Sequence, residues 1–256
     1  MRLRVFAASA LALLSVLRAA PLAAQAPGTP DFNALLAAVD RRTNYGASDF
    51  SARLTLVSED PSEGTETRNV RVFRRDRADT LLLLVLKPES ELGQGYLRVD
   101  DSLWFYDPES RKFTHSSVKE NFQGTDAKNS DFGLSSLAED YAVAAHAEGR
   151  LGPHETWILD LKARHDETAY ASKKVWITKK DGLLLKSEDY SLSGRLLRTA
   201  YYTSYARVGS SLVCDRFTYV DALVPGKKTS ILMEEISLRP VPDEVFTKAY
   251  VERVNR

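Results

Sequence analysis

The sequence predicts a mainly β protein built on a single long, strongly curved antiparallel sheet. Three observations carry this reading. About 12 or 13 segments either alternate apolar and polar residues with period two or run continuously apolar for the length of a strand. They recur at roughly 10–15 residue spacing, with Gly, Pro, Asn, Asp and Ser turn signals between them. No strand–helix–strand alternation interrupts the series, which argues against a doubly wound α/β fold.

Taken in order, the chain opens on a processing signal. Arg2 and Arg4 form a basic head, Val5 to Leu17 is an uncharged apolar run, and Ala24-Gln25-Ala26 offers the small-x-small pattern of a cleavage site. The run is short for a membrane span of roughly 20 residues. The expectation is a signal peptide over 1–26 and one domain over 27–256, exported to the periplasm as a soluble protein. Removing 1–26 takes three of the 35 basic side chains and none of the 35 acidic ones, leaving a net charge of about −3. No basic excess points to nucleic acid. Cys214 is the only cysteine, so no internal disulfide is possible, and none lies near the cleavage site to carry a lipid anchor.

Asp31 to Arg42 reads as a helix. Asp31 suits its N-cap, and Phe32, Leu35, Leu36 and Val39 recur at helical spacing. From Phe50 the period becomes two, with Phe50, Ala52, Leu54 and Leu56 on one side. Leu81 to Leu86 is uninterrupted apolar sequence ending at Pro88, the pattern of a strand buried on both faces. Strands at Gly95–Val99, Ser102–Tyr106 and Lys112–Ser116 follow. Residues 117–140 break the rhythm, with a short helix expected within Leu134–Tyr141. Seven more strands, Tyr141–Glu148, Thr156–Ala163, Lys173–Thr178, Leu183–Ser191, Leu196–Tyr205, Leu212–Asp221 and Lys228–Leu238, complete what reads as a meander. Asp243 to Val254 reads as a closing helix capped by Asp243.

Catalytic patterns find little support. His154-Glu155-Thr156-Trp157-Ile158 begins like a zinc-protease helix but has Ile where the second His is required. Gly93-Gln94-Gly95 lacks the Lys-Ser/Thr of a phosphate loop and reads as a turn. There is no Gly-x-Ser-x-Gly elbow. Neither a cofactor nor a metal is expected, and no catalytic residue is assigned. Arg68, Arg71, Arg74, Arg75 and Arg77 form a basic run that reads as a solvated sheet face or as a docking surface for an acidic partner.

Several passages, read in order, carry a family resemblance. They are Gly95–Pro108 (GYLRVDDSLWFYDP), Gly124-Thr125-Asp126 with Ser130-Asp131-Phe132, Val175-Trp176-Ile177, Ser191–Leu196 (SLSGRL) and Asp243–Lys248 (DEVFTK). Together they resemble the LolA-like outer membrane lipoprotein-sorting family, over nearly all of the chain after the signal. The resemblance implies an unclosed half-barrel with helices covering its mouth. It further implies a periplasmic carrier of lipoprotein acyl chains or another hydrophobic lipid, working with an inner-membrane transporter and an outer-membrane acceptor. The alternative is a periplasmic sensor or interaction module that binds a membrane-protein partner without moving lipid.

An acyl chain needs only an apolar groove, gaining roughly 0.8 kcal/mol per buried CH₂. Candidate cavity or lid residues are Leu35, Leu36 and Val39 on the helix and the large strand residues Trp104, Tyr106, Trp157 and Trp176. Ordinary core packing is the competing reading of the strand residues. Phe122 and Phe132, in the irregular stretch, read either as a mobile flap or as staples holding that stretch to the sheet.

Overall fold

The protein is described here by a computed structural model covering residues 28–99 and 102–254. The signal read over 1–26 lies outside the described residues. From Asp31 onward the chain is one compact unit.

That unit is a mainly β, unclosed half-barrel. Its strands are β1 (Phe50–Asp60), β2 (Gly64–Arg75), β3 (Thr80–Lys87), β4 (Gly95–Val99), β5 (Ser102–Asp107), β6 (Lys112–Ser116), β7 (Tyr141–Leu151), β8 (His154–Ala163), β9 (Ser172–Thr178), β10 (Leu184–Tyr190), β11 (Leu196–Val208), β12 (Ser211–Asp221) and β13 (Lys228–Ser237). The three α-helices among the described residues are α1 (Phe32–Thr43), α2 (Leu137–Asp140) and α3 (Lys248–Arg253).

The sheet order is β6-β5-β4-β3-β2-β1-β13-β12-β11-β10-β9-β8-β7, antiparallel throughout. The expected single meander is therefore two. The chain starts in the middle of the sheet and walks outward to β6. It then crosses through 117–140 to the opposite edge at β7 and walks back until β13 pairs with β1. Local turn chemistry sets each hairpin, but the β1–β13 junction joins strands from opposite ends of the chain and leaves no short-range signal. The connector is long because it must reach from one edge to the other.

Side-chain parity then separates two faces. On the inner face, Ala52 pairs across from Val72, Leu54 from Val70 and Leu56 from Ile231. These belong to the main core, which also takes in Phe122, Ala127 and Phe132 of the connector. The apolar run of β3 is split between faces: Leu81, Leu83 and Val85 join this core, while Leu82 and Leu84 point outward. The outer pair is covered by the C-terminal segment, through Val241, Val245, Phe246 and Val251. That segment is not one helix capped by Asp243. Asp243–Phe246 is a 3-10 turn, and α3 restarts at Lys248 with the Thr247 side chain accepting from the Tyr250 N–H.

Helix α1 forms as its sequence implies. The Asp31 carboxylate accepts from the N–H groups of Asn33 and Ala34, and Leu36 and Val39 are buried. They pack on Leu159, Leu161, Val175 and Ile177, the inner face of β8 and β9. The turn between β9 and β10 comes close to this helix at Gly182. Its φ is +62°, which favours glycine, and a Cβ there would lie 3.1 Å from Arg42 Nη1, so a larger residue would also have to displace that guanidinium.

The basic run of β2 and the turn that follows it does not make an open positive surface. Arg68 pairs with Glu66 and Glu91, Arg71 with Glu235, Arg74 with Asp76, and Arg75 and Arg77 with Asp49. Arg68 and Arg74 are themselves buried. Asp49 ties three segments together, since it also accepts from the Val241 N–H at 2.7 Å. Its carboxyl is held down at about 2, chiefly by hydrogen bonds from Arg75.

Candidate ligand cavity

A cavity of about 240 Å³ lies between the inner face of the sheet and a roof made by α1 and the end of the connector. The roof contributes Val39, Thr43, Tyr45, Leu134, Ser135 and Leu137, and the sheet contributes Val175, Ser187, Tyr202, Val213, Phe217 and Met233.

The roof is stitched into one piece. Asp40 accepts from Ser135 Oγ at 2.5 Å and from the N–H groups of Leu137 and Ala138 at 3.0 and 2.9 Å. A carboxylate of α1 thus binds the first N–H groups of α2, where the helix dipole favours an anion. Asn44 adds a reciprocal pair with Ser135, donating to its carbonyl at 2.7 Å and accepting from its N–H at 2.9 Å. Any motion of α1 away from the sheet must carry residues 135–138 with it or break these bonds.

Deeper in, the inner face turns from apolar to ionic. Lys173, Asp189 and Arg198 stand directly opposite one another on β9, β10 and β11. Lys173 Nζ lies 2.6 Å from Asp189 Oδ1, and Arg198 Nε donates to Asp189 Oδ2 at 2.9 Å. Arg198 also makes a bidentate pair with Asp131 and donates to the Asp126 carbonyl at 3.1 Å. Its guanidinium stacks 4.1 Å from the Tyr219 ring and 5.0 Å from Tyr170. Burial opposes the charge on Asp189, but Lys173 and Arg198 outweigh it and hold the carboxyl below its ordinary range. Burial likewise opposes the charge on Arg198, and Asp131 and Asp189 outweigh it. Next to this cluster, Asp126 exchanges hydrogen bonds with Thr229: its N–H donates to Oγ1 at 3.0 Å and its carboxylate accepts at 2.9 Å. The connector is therefore held by ions and hydrogen bonds as well as by its phenylalanines.

All four charged residues in the cavity wall have a partner. Arg74 pairs with Asp76, Asp131 with Arg198, Asp140 with His165, and Lys173 with Asp189. The remaining wall is largely aliphatic and aromatic. Cys214 also lines the cavity, and burial pushes its thiol up to about 12. Tyr45, stacked 4.8 Å from Phe50 under Arg74, is raised to about 12 for the same reason. Among the described residues, no group of three or more His, Cys, Asp or Glu is placed to hold a metal ion.

Of the residues singled out in the sequence, Val39 lines the cavity. Leu36 is fully buried beside it, and Leu35 packs against the same cluster. Trp157 lies on the inner face near the start of α1, with its ring edge-on to Phe32 at 5.4 Å. Phe122 and Phe132 plug the inner face of the first half-sheet, 5.0 Å apart. Trp104, Tyr106 and Trp176 stand on the outer face. Trp104 lies under Lys248, Tyr106 under the C-terminal segment, and Trp176 under Lys186. Sequence reading missed Lys173, Asp131, Asp189 and Arg198, although strand parity places three of them with the inner residues Val175, Ser187 and Ala200.

Comparison with known proteins bears on this architecture. The model of a family described as uncharacterized protein matches residues 77–253. No curated protein matches the chain by sequence. A LolA superfamily protein from Nitrosomonas europaea superposes with a TM-score of 0.74 at 22% identity, covering 85% of this chain and 97% of that one. A domain proposed to belong to an outer membrane lipoprotein-sorting protein, from Vibrio parahaemolyticus, gives 0.74 at 19% identity with the same coverage. A DUF1329 family protein from Desulfovibrio piger gives 0.75 at 18% identity, covering 86% and 97%. At these identities the likeness is one of fold, and it agrees with the resemblance read from the sequence.

Proposed function

The chain belongs to the family matched over residues 77–253 and has a LolA-like fold, and from that premise we propose that it is a periplasmic binding protein or carrier for a hydrophobic ligand, such as a lipoprotein acyl chain or a free lipid. The observation that carries this reading is the cavity under the stitched roof. Each of its charged wall residues is held by a partner outside the wall, so what it offers a ligand is mainly apolar and aromatic surface. At about 240 Å³ it lies just below the ~300 Å³ at which ligand pockets begin. It suits part of a long acyl chain, and a full chain requires the roof to lift. Such a site binds and releases by burial alone, so the reading is of a binding protein and not an enzyme.

Export of the mature chain through the signal at 1–26 belongs to the same proposal, as do a membrane donor and an outer-membrane acceptor for the ligand. Among the described residues, no helix is long and apolar enough to cross a membrane. Edman sequencing of exported protein should begin between about Pro21 and Gly28.

The test of binding is titration with a fluorescent fatty-acid probe, alongside lipid extraction and native mass spectrometry of protein purified from its own host. The unmodified protein should bind the probe, and Ser187→Phe, which places a ring in the cavity, should abolish binding while the fold persists. Absence of any apolar-probe binding to the unmodified protein would refute the reading. A second reading, an interaction module, draws on β7. This edge strand pairs with β8 alone, and residues 144–148 along it are exposed. An extended peptide can add to such an edge. Protection of the 144–148 amides by a bound membrane-protein segment, without lipid, would favour it.

A further inference from the structure

A second concavity lies against the first. It is an open cleft of about 520 Å³ beyond the end of α1, with walls that include Arg41, Arg42, Ser48, Arg207 and Ser211. Tyr45 lines both the cleft and the cavity, and along β12 Leu212 faces the cleft while Val213 and Cys214 face the cavity. The two spaces are neighbours across a shared wall.

Their electrostatics differ. In the cavity each charged residue is paired. The cleft wall holds three arginines and no carboxylate, and none of the three arginines has an ion-pair partner among the described residues. The arginines of β2 are all paired. Arg42 Nη1 is moreover buried without a hydrogen-bond partner. That atom lies beside Gly182 and the Leu35 side chain with no exposed surface, so what Arg42 adds to the cleft is its charge.

The helix dipole accounts for part of this arrangement. Arg41 and Arg42 sit in the last turn of α1, where positive charge is favoured. It does not account for Arg207, which comes from the end of β11. Nor does it account for Gly182, which leaves room for the Arg42 guanidinium. Unpaired guanidinium groups lining one cleft with serines beside them are the chemistry that holds a phosphate or carboxylate, by charge-assisted, often bidentate, hydrogen bonds.

We infer that the cleft is the head-group subsite of an anionic amphiphile, whose apolar tail enters the neighbouring cavity. This inference rests on the binding reading above and names its ligand class: a lipid with an oxyanion head. Arg207 and Arg41 are exposed and hold the head, and Arg42, half-buried in the same wall, adds its charge.

The test is displacement of a fluorescent apolar probe by palmitate, lysophosphatidylglycerol and lysophosphatidylcholine, with glycerol phosphate as a head group lacking a tail. Both anionic lipids should displace the probe at concentrations about tenfold lower than lysophosphatidylcholine, a factor expected of one charge-assisted contact. Displacement by only one of them assigns the head as carboxylate or phosphate. Arg41→Gln/Arg207→Gln, both at exposed positions, should erase the preference while leaving probe affinity and melting temperature unchanged. Arg42→Gln is the second variant, read the same way. Equal displacement by anionic and zwitterionic lipids, or a preference that survives all these changes, overturns the head-group site and leaves the binding reading intact. Displacement by glycerol phosphate as strong as that by the lipids overturns the amphiphile. Failure of the probe to bind at all overturns both readings.

Discussion

Arg198 of β11 grips Asp131 of the connector with two hydrogen bonds, Nη1 to Oδ2 at 2.6 Å and Nη2 to Oδ1 at 3.1 Å. The pair joins residues 67 positions apart, inside the sheet and next to the cavity. Buried ion pairs add little net stability over apolar packing, but breaking one leaves an uncompensated charge. The pair therefore fixes where the connector lies more than it strengthens the fold. Because 130–137 form part of the cavity roof, the position of the connector is also the shape of the cavity.

The first prediction separates latch from scaffold. Asp131→Asn leaves Arg198 paired with Asp189, so the fold should survive while amides of residues 123–133 exchange faster with deuterium. Arg198→Met strands Asp131 and half of Asp189 and should lower stability by about 3–5 kcal/mol. Unchanged exchange in Asp131→Asn would mean that the phenylalanine plug and the hydrogen bonds at Asp126 hold the connector without this pair.

The second concerns pH. The Asp189 carboxyl is held below its ordinary value by Lys173 and Arg198 against the opposing effect of burial, so the unfolded chain binds its proton more readily. Its contribution is fully present above the ordinary aspartate pKa of about 3.9 and is lost as pH falls through the lower folded value. Asp126 has the opposite sign. Burial raises it, so its charge is a penalty at neutral pH that protonation relieves. Urea midpoints should therefore hold steady or rise slightly on acidification toward pH 5 and fall steeply below about pH 4. Asp189→Asn should flatten that fall; an unaltered acid limb would remove Asp189 as its source.

The third concerns the plug. Phe122 is fully buried and contacts Tyr96 and Phe132 at ring distances of 5.1 and 5.0 Å. Phe122→Ala should cost about 3–5 kcal/mol, read by chemical unfolding. A loss below about 1 kcal/mol would show that the connector collapses into the space or is not seated there in solution.

How much of this was legible in the sequence depends on the range of the signal. The cap and stripe of α1, the two-faced run of β3 and nearly every hairpin rest on neighbouring residues, and periodicity reveals them. The pairing of β1 with β13 depends on sequence separation near the length of the domain, which periodicity does not see. The ionic row is a different case. Lys173 lies two positions before Val175, Asp189 two after Ser187 and Arg198 two before Ala200, so parity alone puts them inside. Charge, read as a mark of solvent, hid them. Side-chain size misdirects in the same way: Trp104 alternates with Leu103 and Phe105, and Trp176 with Val175 and Ile177, so the large rings stand on the outer face while smaller neighbours face inward.

The fourth prediction uses the single thiol as a reporter. Cys214 lines the cavity, and burial raises its thiol to about 12. At pH 8 little thiolate forms, so maleimide labelling of the folded protein should be far slower than that of the same protein in urea. An apolar ligand in the cavity should slow it further, since both occupy one space. Labelling as fast as that of a free cysteine would mean that the roof stands open in solution.

The fifth asks whether the roof is the gate. Asn44 makes two hydrogen bonds to Ser135, and these close the seam between α1 and the connector without touching the inner core. Asn44→Ala should reduce stability by only about 1–2 kcal/mol, and stopped-flow mixing should show faster probe association and faster release. Leu36→Ala gives the contrast. Leu36 is fully buried against Leu159 and Val175, so its loss should lower stability by about 2–5 kcal/mol through a new void. That void adjoins the cavity and leaves the seam stitched, so Leu36→Ala should change probe affinity more than association rate. If both variants leave the kinetics unaltered, ligand enters by another route, and the half-buried end of the connector at Asp140, beside the exposed His165, becomes the place to look.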